Sequence, residues 1–372
     1  MNRLKIYRRC LIAALLLAVM TLGIYGFYYM SNQVPDEIRI SEEETQTLDL
    51  GLKEVSVRVV KREKVIPGGI PVGIYLETQG VYVVGTDAVQ TADGMLCEPA
   101  GQAVQSGDYI LAVNGRRITD KKELISCVQA NRTGILILKL CRNEEEIQVR
   151  VQAVEAETKD YKLGIWVKDD VQGIGTLTYL TEDYRFGALG HGITDTDTGD
   201  LITISGGSLY DTNILEIVKG QRGLPGELSG VITYANRYQK GMIQKNTRVG
   251  IFGQADAGLA KELTGTPVEV AFRQEIKPGP AVIRSSVSGE MKEYEIQIQE
   301  IRLNESNVNK GMIFKVTDPD LIALTGGVIQ GMSGSPILQN GRLVGAVTHV
   351  FVNDPTKGYA GFAEMMLEAA NK

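Results

Sequence analysis

The sequence predicts a mainly β protein carried behind a membrane-spanning helix, and three observations lead there. Eleven prolines and 42 glycines punctuate the 372 residues, breaking the chain about every 8 to 12 residues into segments suited to strands rather than long helices. Hydrophobic residues make up 43%, which at this length can build more than one buried core. The uncharged apolar stretch from Cys10 to Met30, about 21 residues, matches a bilayer-crossing helix at about 1.5 Å rise per residue. The net charge is −6, with no basic patch beyond the N-terminus, so binding to nucleic acid lacks an electrostatic footprint.

Residues 1–9 carry Arg3, Lys5, Arg8 and Arg9, a basic flank expected to stay cytoplasmic while the rest of the chain is exported. Residues 10–30 are the expected anchor. A cleaved signal peptide is the alternative, but Tyr25, Phe27, Tyr28 and Tyr29 form an interfacial aromatic belt and no small-residue cleavage motif follows. Residues 31–50 hold Asp36, Glu37, Glu42, Glu43, Glu44 and Asp49 and read as a solvated acidic tether. Cys10 lies in the apolar segment; Cys97, Cys127 and Cys141 show neither C-x-x-C nor histidine-rich metal spacing. No metal site or cofactor is expected, and at most one disulfide among those three.

Residues 51–155 form a second module. The order P-V-G-I-Y-L, G-V-Y-V-V-G, S-G-D-Y-I-L-A-V-N-G-R-R-I and I-L-I-L-K-L-C-R resembles a PDZ domain. The resemblance implies that Val72, Gly73 and Ile74 form the loop receiving a peptide's terminal carboxylate, with Ile74–Leu76 as the pairing edge strand. Asn114-Gly115 is a hairpin signal, Asp120 an N-cap for a helix over about Lys121 to Ala130, and Glu144 to Glu146 a solvated hairpin tip. A structural β domain with an empty groove is the plainer alternative.

Residues 156–372 hold the chemistry. In Gly331-Met332-Ser333-Gly334-Ser335-Pro336 a serine sits between glycines, the setting in which a chain can turn tightly enough to place backbone N–H groups around a nucleophile. Ser333 is the candidate nucleophile, and the N–H groups of Gly331 and Ser333 are the candidate oxyanion donors. G-x-S-G is common in a glycine-rich chain, where it also marks polar turns. A base must come from one of two histidines. His191, in F-G-A-L-G-H-G-I-T-D, is flanked by glycines that expose the ring; His349, in L-V-G-A-V-T-H-V-F, sits in a β-branched strand and reads as a core residue or as part of the S1 pocket. Asp318, in K-V-T-D-P-D-L, is the candidate third member, with Asp195, Asp197, Asp200 and Asp211 as competitors.

Together, F-G-A-L-G-H-G-I-T-D and G-M-S-G-S-P-I-L-Q-N-G-R-L-V-G-A-V-T-H-V-F-V-N-D-P-T-K-G-Y resemble the stage IV sporulation protein B peptidase family of endospore-forming bacteria. The resemblance implies a PDZ domain joined to a chymotrypsin-like double β-barrel serine peptidase, with His191, Asp318 and Ser333 as its triad. It further implies an enzyme sent from the forespore membrane into the intermembrane space. There it would cut its own N-terminal segment and then a regulator of an intramembrane metalloprotease, activating a mother-cell sigma factor. The interval from Asp318 to Ser333 is shorter than chymotrypsin relatives place it. Two other readings are a membrane-tethered PDZ adaptor whose peptidase-like domain does not cut, and an HtrA-like quality-control protease, in which the PDZ follows the peptidase.

Overall fold

The structure, a computed structural model, describes residues 2–33, 35, 37–41, 56–131, 134–263 and 265–372. Helix α1 (Asn2–Gln33) includes Lys5–Tyr29, long and apolar enough to cross a bilayer. Most of the expected acidic tether, including Asp36, Glu42, Glu43, Glu44 and Asp49, lies outside the described residues. Of its described residues, 31–33 end α1 and 37–40 form a strand rather than a tether. β1 (Glu37–Ile40) pairs in parallel with β2 (Ser56–Val59), Ile38 is buried, and Arg39 pairs with Glu368 at 2.8 Å.

After β3 (Lys64–Pro67) and the 16-residue β4 (Pro71–Thr86), the chain builds a small domain. Its elements are β5 (Val89–Gln90), β6 (Leu96–Cys97), β7 (Tyr109–Val113), β8 (Arg116–Arg117), α2 (Lys121–Ala130), β9 (Ile135–Arg142), β10 (Glu145–Gln152), β11 (Val154–Glu155) and β12 (Tyr161–Lys162). It closes with the first residues of β13 (Ile165–Leu180). Local chemistry sets these elements. Asn114 and Gly115 take φ of 49° and 80° between β7 and β8, the left-handed pair that a tight hairpin needs. Asp120 caps α2 by accepting from the Glu123 N–H at 2.8 Å, and Leu124 and Val128, one turn apart, point inward. Leu136, Leu138 and Leu140 alternate into the core from β9 as a period of two demands.

The barrels follow. β14 (Arg185–Ala188), β15 (Ile204–Tyr210), β16 (Thr212–Val218), β17 (Glu227–Ile232), β18 (Gln239–Thr247) and β19 (Gly250–Ala255) come next, then α3 (Ala257–Glu262) and β20 (Val268–Glu269). β4, β13, β14, β19, β18 and β15 pair in a ring that closes on β4. A second closed barrel runs β21 (Gly279–Ser285), β22 (Lys292–Ile301), β23 (Met312–Val316), β26 (Lys357–Phe362), β25 (Arg342–Val350) and β24 (Pro336–Gln339). α4 (Pro319–Thr325) precedes β24, and α5 (Ala363–Asn371) ends the chain. Each ring joins its first, second, third, sixth, fifth and fourth strands in that order, the double barrel of the chymotrypsin type. Tyr294, Ile296 and Ile298 fill the second barrel from alternate positions of β22.

Two expectations are corrected here. The boundary placed between residues 155 and 156 is not where the domains part, because β4 and β13 each run through both. Residues 71–78 of β4 pair with β13 and β15 as a barrel stave, while Tyr82 to Thr86 pair with residues 165–168 in the small domain. The small domain is thus inserted between the first and second strands of the first barrel. For the same reason Val72, Gly73 and Ile74 cannot be a carboxylate-binding loop. Gly73 lies between Ile174 and Tyr210, and Ile74 between Gly173 and Leu209, so the strand has no free edge.

Candidate active site

Between the barrels lies a cleft of about 460 Å³ that brings together His191, Gly331, Ser333 and His349. Most of its wall is apolar, with Ile74 and Ile174 from the first barrel and Val328, Ile329, Val350 and Val352 from the second. No acidic side chain among the described residues lines it.

Ser333 sits on the turn entering β24. Gly331 and Gly334 have φ of +94° and +97°, the left-handed region that glycine enters at little cost. A Cβ on Gly334 would lie 2.1 Å from the Thr176 carbonyl oxygen, so only glycine lets this turn dock against β13. The Gly331 and Ser333 N–H groups donate to no protein acceptor among the described residues, which leaves them free for an oxyanion. The Ser333 hydroxyl donates to the Thr348 carbonyl at 2.9 Å, so its proton rests on the second barrel rather than on a histidine.

His191 follows β14 through Leu189 and Gly190, with φ of 72° and 69°; a leucine held there stores about 1–2 kcal/mol of backbone strain. The turn is over-determined by packing, since a Cβ on Gly192 would lie 2.4 Å from the Thr247 oxygen. His191 Nδ1 is 2.9 Å from the Gly192 carbonyl oxygen. A carbonyl only accepts, so Nδ1 carries the proton and Nε2 keeps its lone pair, the tautomer a general base requires. Burial lowers the His191 pKa, and the hydrogen bond to Gly192 opposes that shift. The His349 ring lies 5.0 Å from that of His191, tilted by 36°. His349 is therefore a rim residue of the cleft beside the base, exposed at its outer edge and not a core residue. Burial first, then His191 and Lys310, lower its pKa to about 4, so it is neutral near pH 7.

Asp318 is not brought to this cluster, which corrects the expectation that it orients His191. It caps α4, accepting from the Leu321 N–H at 2.9 Å and from the Glu295 N–H at 3.2 Å. Both oxygens are committed to main chain, and His191 Nδ1 is committed to Gly192. Three of the four competitors are occupied too. Asp195 and Asp197 pair with Lys168 at 2.7 and 2.6 Å, Asp200 accepts from the Tyr82 hydroxyl at 3.2 Å, and Asp211 makes no side-chain bond to His191 among the described residues. The carbonyl of Gly192 holds the ring where a carboxylate was expected.

A second groove, of about 620 Å³, runs between α2 and residues 163–167. Leu124, Ile125 and Val128 face Leu163, Ile165 and Trp166 across it. The N–H groups of Leu163 and Gly164 are without protein acceptors among the described residues, and Gly164 has φ of +65°. This is where the small domain offers a strand edge and a loop of free donors, the features that strand addition uses. The signal was in the sequence, since K-L-G-I-W-V repeats the pattern of P-V-G-I-Y-L. All four cysteines are free.

A family model described as SpoIVB peptidase S55 matches residues 159–367, more than half of the chain. The chain belongs to the SpoIVB peptidase S55 family. It is accordingly a serine endopeptidase acting on protein or peptide substrates. Comparison with curated proteins gives no match. Among solved structures, the active form of the Rv3671c protease from M. tuberculosis is similar at 15% identity and TM-score 0.31, covering 54% of this chain and 74% of that one. The HtrA-type protease AlgW with a decapeptide is similar at 9% identity and TM-score 0.32, over 81% of this chain and 63% of that one. The PDZ domain of an SdrC-like protein from Listeria monocytogenes is similar at 19% identity and TM-score 0.20, over 24% of this chain and 87% of that one. The fold follows from the strand order of the two barrels, not from these likenesses.

Proposed function

We propose that Ser333 is the nucleophile and His191 the base of a membrane-anchored endopeptidase acting in sporulation signalling. The observation that carries this reading is the convergence of His191 and Ser333 on one apolar cleft that also receives two unpaired backbone N–H groups. For reaction, the Ser333 hydroxyl swings from the Thr348 carbonyl towards His191. Nε2 takes its proton as Oγ bonds the scissile carbonyl carbon, and the Gly331 and Ser333 N–H groups receive the oxyanion. Collapse breaks the C–N bond as His191 protonates the leaving amine; water, deprotonated by His191, then releases the acyl group. The apolar wall formed by Val328, Ile329 and Val350 selects an apolar side chain at the cut.

In this reading α1 is an uncleaved anchor that places the barrels outside the cytoplasmic membrane, in a spore former the intermembrane space. The substrates are the chain's own N-terminal segment and a regulator of an intramembrane metalloprotease. The α2 groove selects a peptide terminus of either one. The insertion of the small domain within the first barrel favours this over an HtrA-like enzyme with a trailing PDZ. Incubating the full-length chain in detergent tests the self-cleavage. A fragment lacking α1 should accumulate from the unsubstituted protein and not from Ser333→Ala; equal fragmentation of both would overturn it.

A further inference from the structure

The turn that carries the oxyanion donors is held by the carbonyl groups of residues 330 to 333 and by the Met332 N–H, which donates to the Ile329 carbonyl at 3.2 Å. The Gln330 carbonyl accepts from the Leu228 N–H at 2.9 Å, and the Met332 carbonyl from the Ser335 N–H at 2.9 Å. In a trans peptide the N–H points opposite to the C=O. These two bonds therefore turn the Gly331 and Ser333 N–H groups away from their holders and leave them free. The other two carbonyls of the turn go to a single residue of the other barrel. The Thr176 hydroxyl donates to the Gly331 oxygen at 2.7 Å, and the Thr176 N–H donates to the Ser333 oxygen at 2.9 Å. Thr176 lies on β13, is buried, and does not itself line the cleft.

We infer that Thr176 is a positioning residue for the oxyanion hole, acting through the Gly331 carbonyl. Of the four carbonyl anchors, its hydroxyl is the only one made by a side chain; the other three are main-chain bonds. The residue it restrains is also the one most able to escape, because a glycine at φ +94° can rotate its peptide units without steric cost. With the hydroxyl gone, the Gly331–Met332 peptide is held only by the 3.2 Å bond from the Met332 N–H to the Ile329 carbonyl; the Gly331 backbone can then relax, and its N–H, still tied on the other side through the Gln330 carbonyl, shifts off its aim. A donor that must be found at the moment of reaction stabilises the oxyanion far less than one already aimed. The ground-state substrate, held by the apolar wall, is unaffected.

The inference rests on Ser333 being the nucleophile, and the experiment separates the two. Full-length protein in detergent is assayed on a fluorogenic peptide with an apolar residue at the cut, beside Ser333→Ala, Thr176→Val and Thr176→Ser. Thr176→Val keeps the side-chain shape and removes the donor; its kcat should fall about 10²–10³-fold, the effect of losing one oxyanion donor, with KM unchanged. Thr176→Ser keeps the donor and should stay within a few-fold of the parent. A peptide trifluoromethyl ketone, which mimics the tetrahedral adduct, should lose affinity for Thr176→Val in step with kcat/KM. If Thr176→Val melts early, Thr176→Ala removes the same hydroxyl and carries the same expectation. An unchanged kcat, a loss confined to KM, or equal loss in Thr176→Ser would overturn the inference while Ser333-dependent hydrolysis stands. If the parent shows no Ser333-dependent hydrolysis, both fall.

Discussion

Replacing Asp318 separates its observed contacts from the role that the family resemblance implies. Asp318→Ala removes the acceptor for the Leu321 N–H at the start of α4 and for the Glu295 N–H on β22. Losing an N-cap costs about 1 kcal/mol and losing a second bond of this kind about 1 kcal/mol more, so the variant should be destabilised by about 2 kcal/mol. α4 has seven residues and ends at Gly326 in the left-handed region, just ahead of the Gly331–Ser333 turn. Its fraying should loosen that turn and lower kcat by roughly tenfold, a loss that tracks the loss of stability. Asp318→Asn keeps one oxygen for the Leu321 N–H and caps about as well as aspartate but gives up the bond from the Glu295 N–H, so it should lose about 1 kcal/mol of stability and retain activity within a few-fold. A residue orienting the imidazole behaves otherwise: asparagine there costs about 10⁴-fold in kcat and leaves stability intact. Peptide hydrolysis measured beside thermal unfolding decides. An Asp318→Asn protein with parental stability and a 10³–10⁴-fold loss of kcat would refute the capping account and return Asp318 to the triad.

Three further outcomes follow from the cleft and the groove. Protonated His191 cannot accept the Ser333 proton, so kcat/KM should rise with pH through a pKa below the usual histidine value of about 6.5, because burial lowers it; a midpoint above 7 would contradict this. His349, lowered to about 4, adds stability that is complete above about 6.5 and is lost as pH falls towards 4, because the unfolded chain takes up the proton first. His349→Gln should flatten that acid loss in an unfolding series and change cleavage preference on a peptide library, while an unchanged preference would remove it from substrate selection. Ile125 is exposed on α2 and lines the second groove. Ile125→Glu should abolish binding of peptides with a free apolar C-terminus, read by fluorescence anisotropy, and leave hydrolysis of short peptides intact; unaltered binding would move the peptide site elsewhere.

What could be read from the sequence was what neighbouring residues decide. The Asn114-Gly115 turn, the Asp120 cap and the helix after it depend on a few adjacent positions, and each forms where local chemistry places it. The glycines around Ser333 and His191 marked sharp turns, and the turns bring both residues to one cleft. Strand pairing over long separations was not legible. P-V-G-I-Y-L and K-L-G-I-W-V carry the same pattern, and only the pairing of Pro71–Thr86 with Ile165–Leu180 shows that the first is a barrel stave and the second the groove wall. Thr176 gave no signal because its partners lie 155 and more residues away in the chain. Asp318 was ambiguous for a local reason. An aspartate before proline is a helix start, with the proline at N1, and that pattern outweighed the role that the family resemblance implies.

The most direct test of the central claim is covalent labelling of the full-length chain in detergent with a fluorophosphonate, beside Ser333→Ala and His191→Ala. Labelling that requires both residues, with the phosphonyl group found on Ser333 by peptide mass mapping, is the expected result. Undiminished labelling of Ser333→Ala, or no labelling of a well-folded parent that also leaves peptides intact, would contradict it.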